Sequence, residues 1–176
     1  MCILTYVGIG FVALILLIVI ISFFLPRLIH VERSVTINSN ASAIFPHINS
    51  LKNFVVWSPW SEKDPNMKQT FNEIESGAGC KYTWSGDKKV GVGIMEISES
   101  IENKLVKTEL DFGKRGTAIA QFSLEESNGK TTVKWSMDTD MGNNPMGRIM
   151  GLFMDKWVGT DHEHGLNKLK SQIENS

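Results

Sequence analysis

Hydrophobic and polar positions divide the chain into three stretches with different periods. From Cys2 to Leu25 the residues read CILTYVGIGFVALILLIVIISFFL without a single charge. At 1.5 Å per helical residue, an unbroken apolar run of that length reaches across a hydrocarbon core of about 30 Å. The run predicts a transmembrane anchor over residues 1–26, ended by Pro26, with the bilayer as partner of residues 2–25. A cleaved signal peptide is the rival reading. It is disfavoured because no Lys or Arg precedes the run, because the run exceeds an ordinary signal h-region, and because no small-x-small cleavage site precedes Pro26.

The second stretch begins after a short linker, residues 27–29. In HVERSVTIN (His30 to Asn38), Val31, Arg33, Val35 and Ile37 alternate with Glu32, Ser34 and Thr36, the period of a half-buried strand with an arginine on its apolar face. Asn40 or Ser42 can cap the helical spacing of Ala43, Ile44, Phe45, Ile48, Leu51, Phe54 and Val55. Pro46 and the Asn49-Ser50 pair break that spacing, which predicts two short helices. Strands are then predicted at Lys68 to Asn72, Cys80 to Trp84, Val90 to Ile101, Leu105 to Phe112, Thr117 to Glu125 and Thr131 to Met137. Between them lie Gly- and Asn-rich turns, including Ser127-Asn128-Gly129, a hairpin signal. Connections this short join antiparallel neighbours.

In the third stretch, after a loop from Asp138 to Gly147, apolar residues recur mostly three or four apart at Ile149, Met150, Phe153, Trp157, Leu166, Leu169 and Ile173. This predicts a long amphipathic C-terminal helix. Gly159 and Gly165 either weaken it or let it approach the sheet closely. The expected fold is α+β: a strand, two short helices, five or six antiparallel strands and a long helix, forming one domain over residues 30–176. A twisted sheet covered by a terminal helix leaves a cavity between the layers unless large side chains fill it.

Charge and cysteine content narrow the function classes. All 18 Lys+Arg and 19 Asp+Glu follow Pro26, for a net charge of −1. The two signs are interspersed, with no basic block and no RNA-binding aromatic motif, so a nucleic-acid partner is not expected. Cys2 and Cys80 are the two cysteines, and their placement precludes a disulfide framework. Arg27, Arg33 and Lys52 follow the apolar run while nothing basic precedes it. By the positive-inside rule this places the globular part of a single-pass membrane protein on the cytoplasmic side.

The order of elements, with VERSVTINSNASAIFPHINSLKNFVVWSPW near its start, resembles the SRPBCC superfamily of START-like, Bet v 1-like helix-grip domains, specifically its bacterial polyketide cyclase/dehydrase and lipid-transport-like group. The resemblance runs from about residue 30 to the end. It rests on the first strand leading to Ala43-Ile44-Phe45, on Trp57-Ser58-Pro59-Trp60, on Gly91-Val92-Gly93 leading into a long strand, and on the terminal helix with Gly165-Leu166-Asn167-Lys168-Leu169-Lys170. It implies a pocket under the long helix for lipids, hormones, flavonoids or polyketide intermediates, and it supplies no transferable catalytic signature.

Candidate pocket residues are Trp57, Trp60, Tyr82, Trp84, Met95, Ile97, Phe112, Phe122, Trp135, Met150, Phe153, Met154 and Trp157. Flat rings and flexible thioethers suit an apolar ligand, although a Met or Trp stripe more often simply fills a core. Trp57-Ser58-Pro59-Trp60 is either a lip over the cavity mouth or a packed corner fixed by Pro59. Asp161-His162-Glu163-His164 reads as a solvated helix face and not as a metal site, because side chains two apart on a helix diverge by about 200°. Either histidine could still titrate near neutral pH. Arg33 and Glu96 are candidate charged groups, and Glu96 is expected to face outward because Met95 and Ile97 claim the other face. No G-x-S-x-G, P-loop, complete G-x-G-x-x-G, HExxH or CxxC occurs, so neither a metal nor a cofactor is expected. The leading expectation is a non-catalytic, membrane-anchored domain that binds or carries a lipid-like or polycyclic apolar molecule. The alternatives are a cyclase or dehydratase using Arg33, Glu96 or a histidine in the same cavity, and an interaction module with no ligand.

Overall fold

The computed structural model describes residues 3–175, with side chains described from Tyr6 onward. Helix α1 (Ile3–Ser22) is followed by strand β1 (Leu28–Ile37) and three short helices, α2 (Ala41–Ile48), α3 (Leu51–Trp57) and α4 (Pro59–Lys63). Six strands come next: β2 (Lys68–Phe71), β3 (Lys81–Ser85), β4 (Val92–Ile101), β5 (Leu105–Asp111), β6 (Thr117–Ser127) and β7 (Lys130–Asp140). Helix α5 (Pro145–Glu174) closes the chain. The seven strands form one antiparallel sheet in the order β1-β7-β6-β5-β4-β3-β2. Consecutive strands pair, and the sole crossover brings β1 beside β7.

Local chemistry fixes most boundaries. The Asn40 side chain accepts from the Ala43 N–H at 3.0 Å and caps α2. Asn49 ends α2 and Ser50 starts α3. Pro46, expected to interrupt the first helix, lies inside it. The second expected helix divides at Ser58, because Pro59 takes the first position of α4, where its missing N–H costs nothing. Asn128 and Gly129 both adopt positive φ, 53° and 72°, in the two-residue turn joining β6 to β7. Asn144 caps α5 by accepting from the Met146 N–H at 3.1 Å. The helix therefore starts earlier than the apolar pattern from Ile149 suggested.

The transmembrane expectation is overturned: among the described residues no helix is long and apolar enough to cross a membrane. The apolar run does not stay helical to Leu25. Beyond Ser22 the amides of Phe23, Phe24 and Leu25 bond three residues back, in tight-turn fashion. Helix α1 itself covers only the 20 residues Ile3–Ser22 of the 24-residue apolar run. Its C-terminal end is also docked on the domain. Ser22 is buried, and Arg148 of α5 donates to the Phe23 carbonyl at 2.8 Å with its guanidinium over the Phe23 ring. The single-pass membrane location, and the cytoplasmic orientation inferred from Arg27, Arg33 and Lys52, fall with the span. Cys2, where the run begins, lies outside the described residues.

Helix α5 lies across the concave side of the sheet and makes its closest approach at β1. Small residues allow this: a Cβ on Gly151 would lie 2.8 Å from Ile29 Cδ1, and one on Gly165 would lie 3.0 Å from the Trp135 ring. Of the two sequence readings of the α5 glycines, the geometry selects close approach. Arg33 on β1 pins the middle of the helix, its Nε donating to Glu163 at 2.7 Å and its Nη1 to Asp155 at 2.9 Å.

Candidate functional site

The space between sheet and helix is filled at one end and open at the other. At the filled end the short helices insert Ile44, Phe45, Ile48, Leu51, Phe54 and Trp57 against Phe122 and Trp135 of the sheet and Leu166 and Leu169 of α5. Ring edges meet ring faces there: Phe54 and Trp57 centroids lie 4.9 Å apart, and Trp57 and Trp135 centroids lie 5.5 Å apart, both edge-on. The Trp57 indole N–H donates to the His47 carbonyl at 3.1 Å, leaving nothing for a ligand. Trp57 is a packed corner, whereas Trp60, half-buried beside it, faces the open end.

The open end is a cavity of about 730 Å³. Its wall on the sheet side comes from Tyr82 and Trp84 of β3, Met95 of β4, Leu110 of β5 and Met137 of β7. Met67 and Phe112 contribute from the adjoining loops, and Met150, Met154 and Val158 of α5 form the roof. Tyr82 and Trp84 stack with centroids 5.4 Å apart and give the cavity a flat aromatic wall, and Phe71, outside the lining, stacks on Tyr82 at 5.2 Å. Gly93 makes room for it. A Cβ there would come 2.3 Å from the Trp84 ring and 2.8 Å from the Asp111 carbonyl, so only glycine lets the indole lie across β4. The Tyr82 hydroxyl meets only the Met67 sulfur, at 3.9 Å, and burial pushes its pKa up to about 12.

Of the residues expected to line a pocket, Trp60, Tyr82, Trp84, Met95, Phe112, Met150 and Met154 do so. Trp57, Ile97, Phe122 and Trp135 belong to the filled core. Phe153 and Trp157 point away from the cavity, about half exposed and stacked on each other with centroids 5.5 Å apart. Their helical spacing resembled that of Met150 and Met154, but each lies about 100° round the helix from the lining residue that follows it, Met154 after Phe153 and Val158 after Trp157. Sequence reasoning missed Phe54, Met67, Leu110, Met137 and Val158. Leu110 and Met137 carried a usable signal, since each sits on the apolar face of an alternating strand.

The charged candidates resolve differently. Arg33 is consumed by α5, and Glu96 pairs with Lys81 at 2.7 Å on the face of the sheet away from the cavity. His164 is exposed and meets Glu62 at 2.7 Å. His162 departs from the expected solvated face: it is 1% exposed, stacked on Trp135 at 4.0 Å, with no partner for Nδ1. Burial, with the nearby Arg33 charge, lowers its pKa to about 4 and keeps the ring neutral. Among the described residues no group of three His, Cys, Asp or Glu is arranged to hold a metal.

Solved structures with the same arrangement include Ara h 8.0201, with TM-score 0.58 and 13% identity over 85% of this chain and 99% of that one. A Staphylococcus aureus protein of unknown function superposes with TM-score 0.61 and 13% identity over 83% of this chain and 94% of its own. The di-domain ARO/CYC StfQ of the steffimycin biosynthetic pathway gives TM-score 0.63 and 7% identity, covering 85% of this chain and 51% of that protein. At such identities the likeness concerns fold alone. No curated protein matches the sequence. The sequence profile described as polyketide cyclase / dehydrase and lipid transport matches residues 29–174, from the first strand to the end of the helix that roofs the cavity. The chain therefore belongs to the polyketide cyclase/dehydrase and lipid-transport family of SRPBCC helix-grip domains.

Proposed function

We propose that the domain is a non-catalytic binder or carrier of an apolar small molecule, lipid-like or polycyclic, held between the sheet and α5. The observation that carries this reading is the cavity of about 730 Å³, walled by stacked rings and thioethers. Ligand pockets of 300–1,000 Å³ are roughly the size that encloses such molecules. Methionines from three directions, Met67, Met95 and Met154, let the walls adapt to ligands of different outline. A cyclase or dehydratase acting in the same space would need an acid and a base within reach of the substrate. The inner hydroxyl of Tyr82 is poorly suited, with its pKa raised to about 12. The carboxylate among the described lining residues, Asp140, is already held by Arg27.

Extraction of the purified chain with organic solvent, followed by mass spectrometry, and titration with the neutral dye Nile red test the proposal together. An apolar molecule in the extract, or saturable dye uptake that Trp60→Ala weakens while the domain stays folded, is the expected result. A chain that yields no such molecule and takes up no dye would refute the reading.

A further inference from the structure

The cavity has an apolar interior and a cationic mouth. The strand register brings three connections to one end of the sheet: Trp84 faces Gly93, Ile94 faces Asp111, Asp111 faces Thr117 and Ala118 faces Thr139. The β3–β4 loop, the β5–β6 turn and the β7–α5 loop therefore meet around the opening. Lys89 comes from the first, and Lys114 and Arg115 from the second; all three line the cavity with their side chains exposed. The Arg115 guanidinium lies against Gly91 and donates to the Lys88 carbonyl at 3.4 Å, which ties the two loops together. A Cβ on Gly91 would come 2.8 Å from Arg115 Nη1.

These cations are not engaged in close ion pairs. Among the described residues none of the three makes an ion pair with a carboxylate. Asp87, two residues before Lys89, accepts from the backbone N–H groups of Lys89 and Val90 at 2.8 and 3.1 Å and interacts with the Lys89 charge without forming a close ion pair. Asp140, the one lining carboxylate, has both oxygens held by Arg27 at 2.6 Å. The N-terminus of α5 adds the positive end of its dipole, since Asn144, Met146 and Gly147 also border the space. In a chain of net charge −1, this is a local surplus of positive charge at the opening of an apolar space.

We infer that the ligand is an amphiphile with an anionic head, a carboxylate or a phosphate, whose apolar body fills the cavity while Lys89, Lys114 and Arg115 receive the head. The inference rests on the proposed binding function and adds the polarity of the ligand and the direction in which it enters. Arg115 is suited to a forked contact with two oxygens, and the lysines act as mobile point charges.

Displacement of Nile red from the full chain by undecanoate, decyl phosphate and 1-decanol tests it, because these share one ten-carbon apolar body and differ in the head. Either anion should bind roughly tenfold or more tightly than the alcohol, the scale of one well-made charge-assisted hydrogen bond. The better of the two anions identifies the head group. Added salt should erode the anion's advantage and leave decanol unaffected. The triple substitution Lys89→Gln, Lys114→Gln, Arg115→Gln should abolish the preference and preserve decanol binding. Equal affinity for all three probes in the unmodified chain, or a preference that survives the triple substitution, would overturn the anionic head and leave the apolar binding function standing. Failure of all three probes and of Nile red to bind would overturn both.

Discussion

Two residues illustrate how tightly single side chains are committed. Gly93 is buried beneath Trp84 in β4, and any side chain there collides with both the indole and the Asp111 carbonyl. Gly93→Ala should cost about 1–3 kcal/mol, the usual range for overpacking, read from the urea midpoint. It should also move Trp84 into the cavity and weaken dye uptake. His162 is neutral in the fold, with its pKa lowered from 6.5 to about 4, mainly by burial between Trp135 and Trp60 and secondarily by the Arg33 charge. The unfolded chain binds this proton more readily than the folded one. The associated stability is therefore complete above about pH 6.5 and is lost as pH falls towards about 4, amounting to at most about 3 kcal/mol. Denaturation as a function of pH should show this slope. His162→Phe, which keeps a ring against Trp135, should flatten it.

Among the elements, α5 does most to define the site. Its first half roofs the cavity while its second half packs into the aromatic core, so polar attachments contribute to holding the roof. Arg33 is the chief one: its side chain is 25% exposed, but Asp155 and Glu163 are largely in water. Exposed partners weaken such pairs, so Arg33→Met should cost only about 1 kcal/mol in global stability. Its larger effect should be local, with faster amide exchange around Asp155 in the roof while amides around Leu166 stay protected. Gly159→Ala probes the same joint, because its Cβ would sit 2.2 Å from Arg33 Nη2. The gain of about 1 kcal/mol in helix propensity should roughly offset the displaced ion pairs, leaving the urea midpoint nearly unchanged.

On the scale of the whole molecule, α1 stands apart from the sheet and helix grip. It touches the domain chiefly at α5, with Arg148 also holding Phe23 just beyond its end, while the side chains of Tyr6, Phe11 and Leu16 remain exposed. Removal of residues 1–25 should therefore leave a cooperatively folding domain that still binds Nile red. Its Tm should shift by only a few degrees, the change expected for roughly 1 kcal/mol. Loss of cooperative unfolding in the truncated chain would show that α1 is part of the folding unit.

The sequence by itself determined the elements that obey a strict period. Alternation in Val106, Thr108 and Leu110 and in Val133, Trp135 and Met137 marked the inner face of the sheet, and Asn128-Gly129 marked the hairpin, because each follows from contacts between near neighbours along the chain. Tertiary structure decided which apolar residues fill the core and which border the cavity. Trp57 and Trp60 are three residues apart and chemically alike, yet one bonds to His47 and the other faces the open end. His162 and His164 differ in burial for the same reason: the helix turns one toward Trp135 and the other toward Glu62. The length of α1 also lay beyond the hydropathy pattern, since the run from Cys2 to Leu25 stays apolar where the helix has already ended. The cationic mouth was hidden most completely, because Lys89 and Lys114 read as ordinary turn residues until the antiparallel register brings their loops to one end of the sheet.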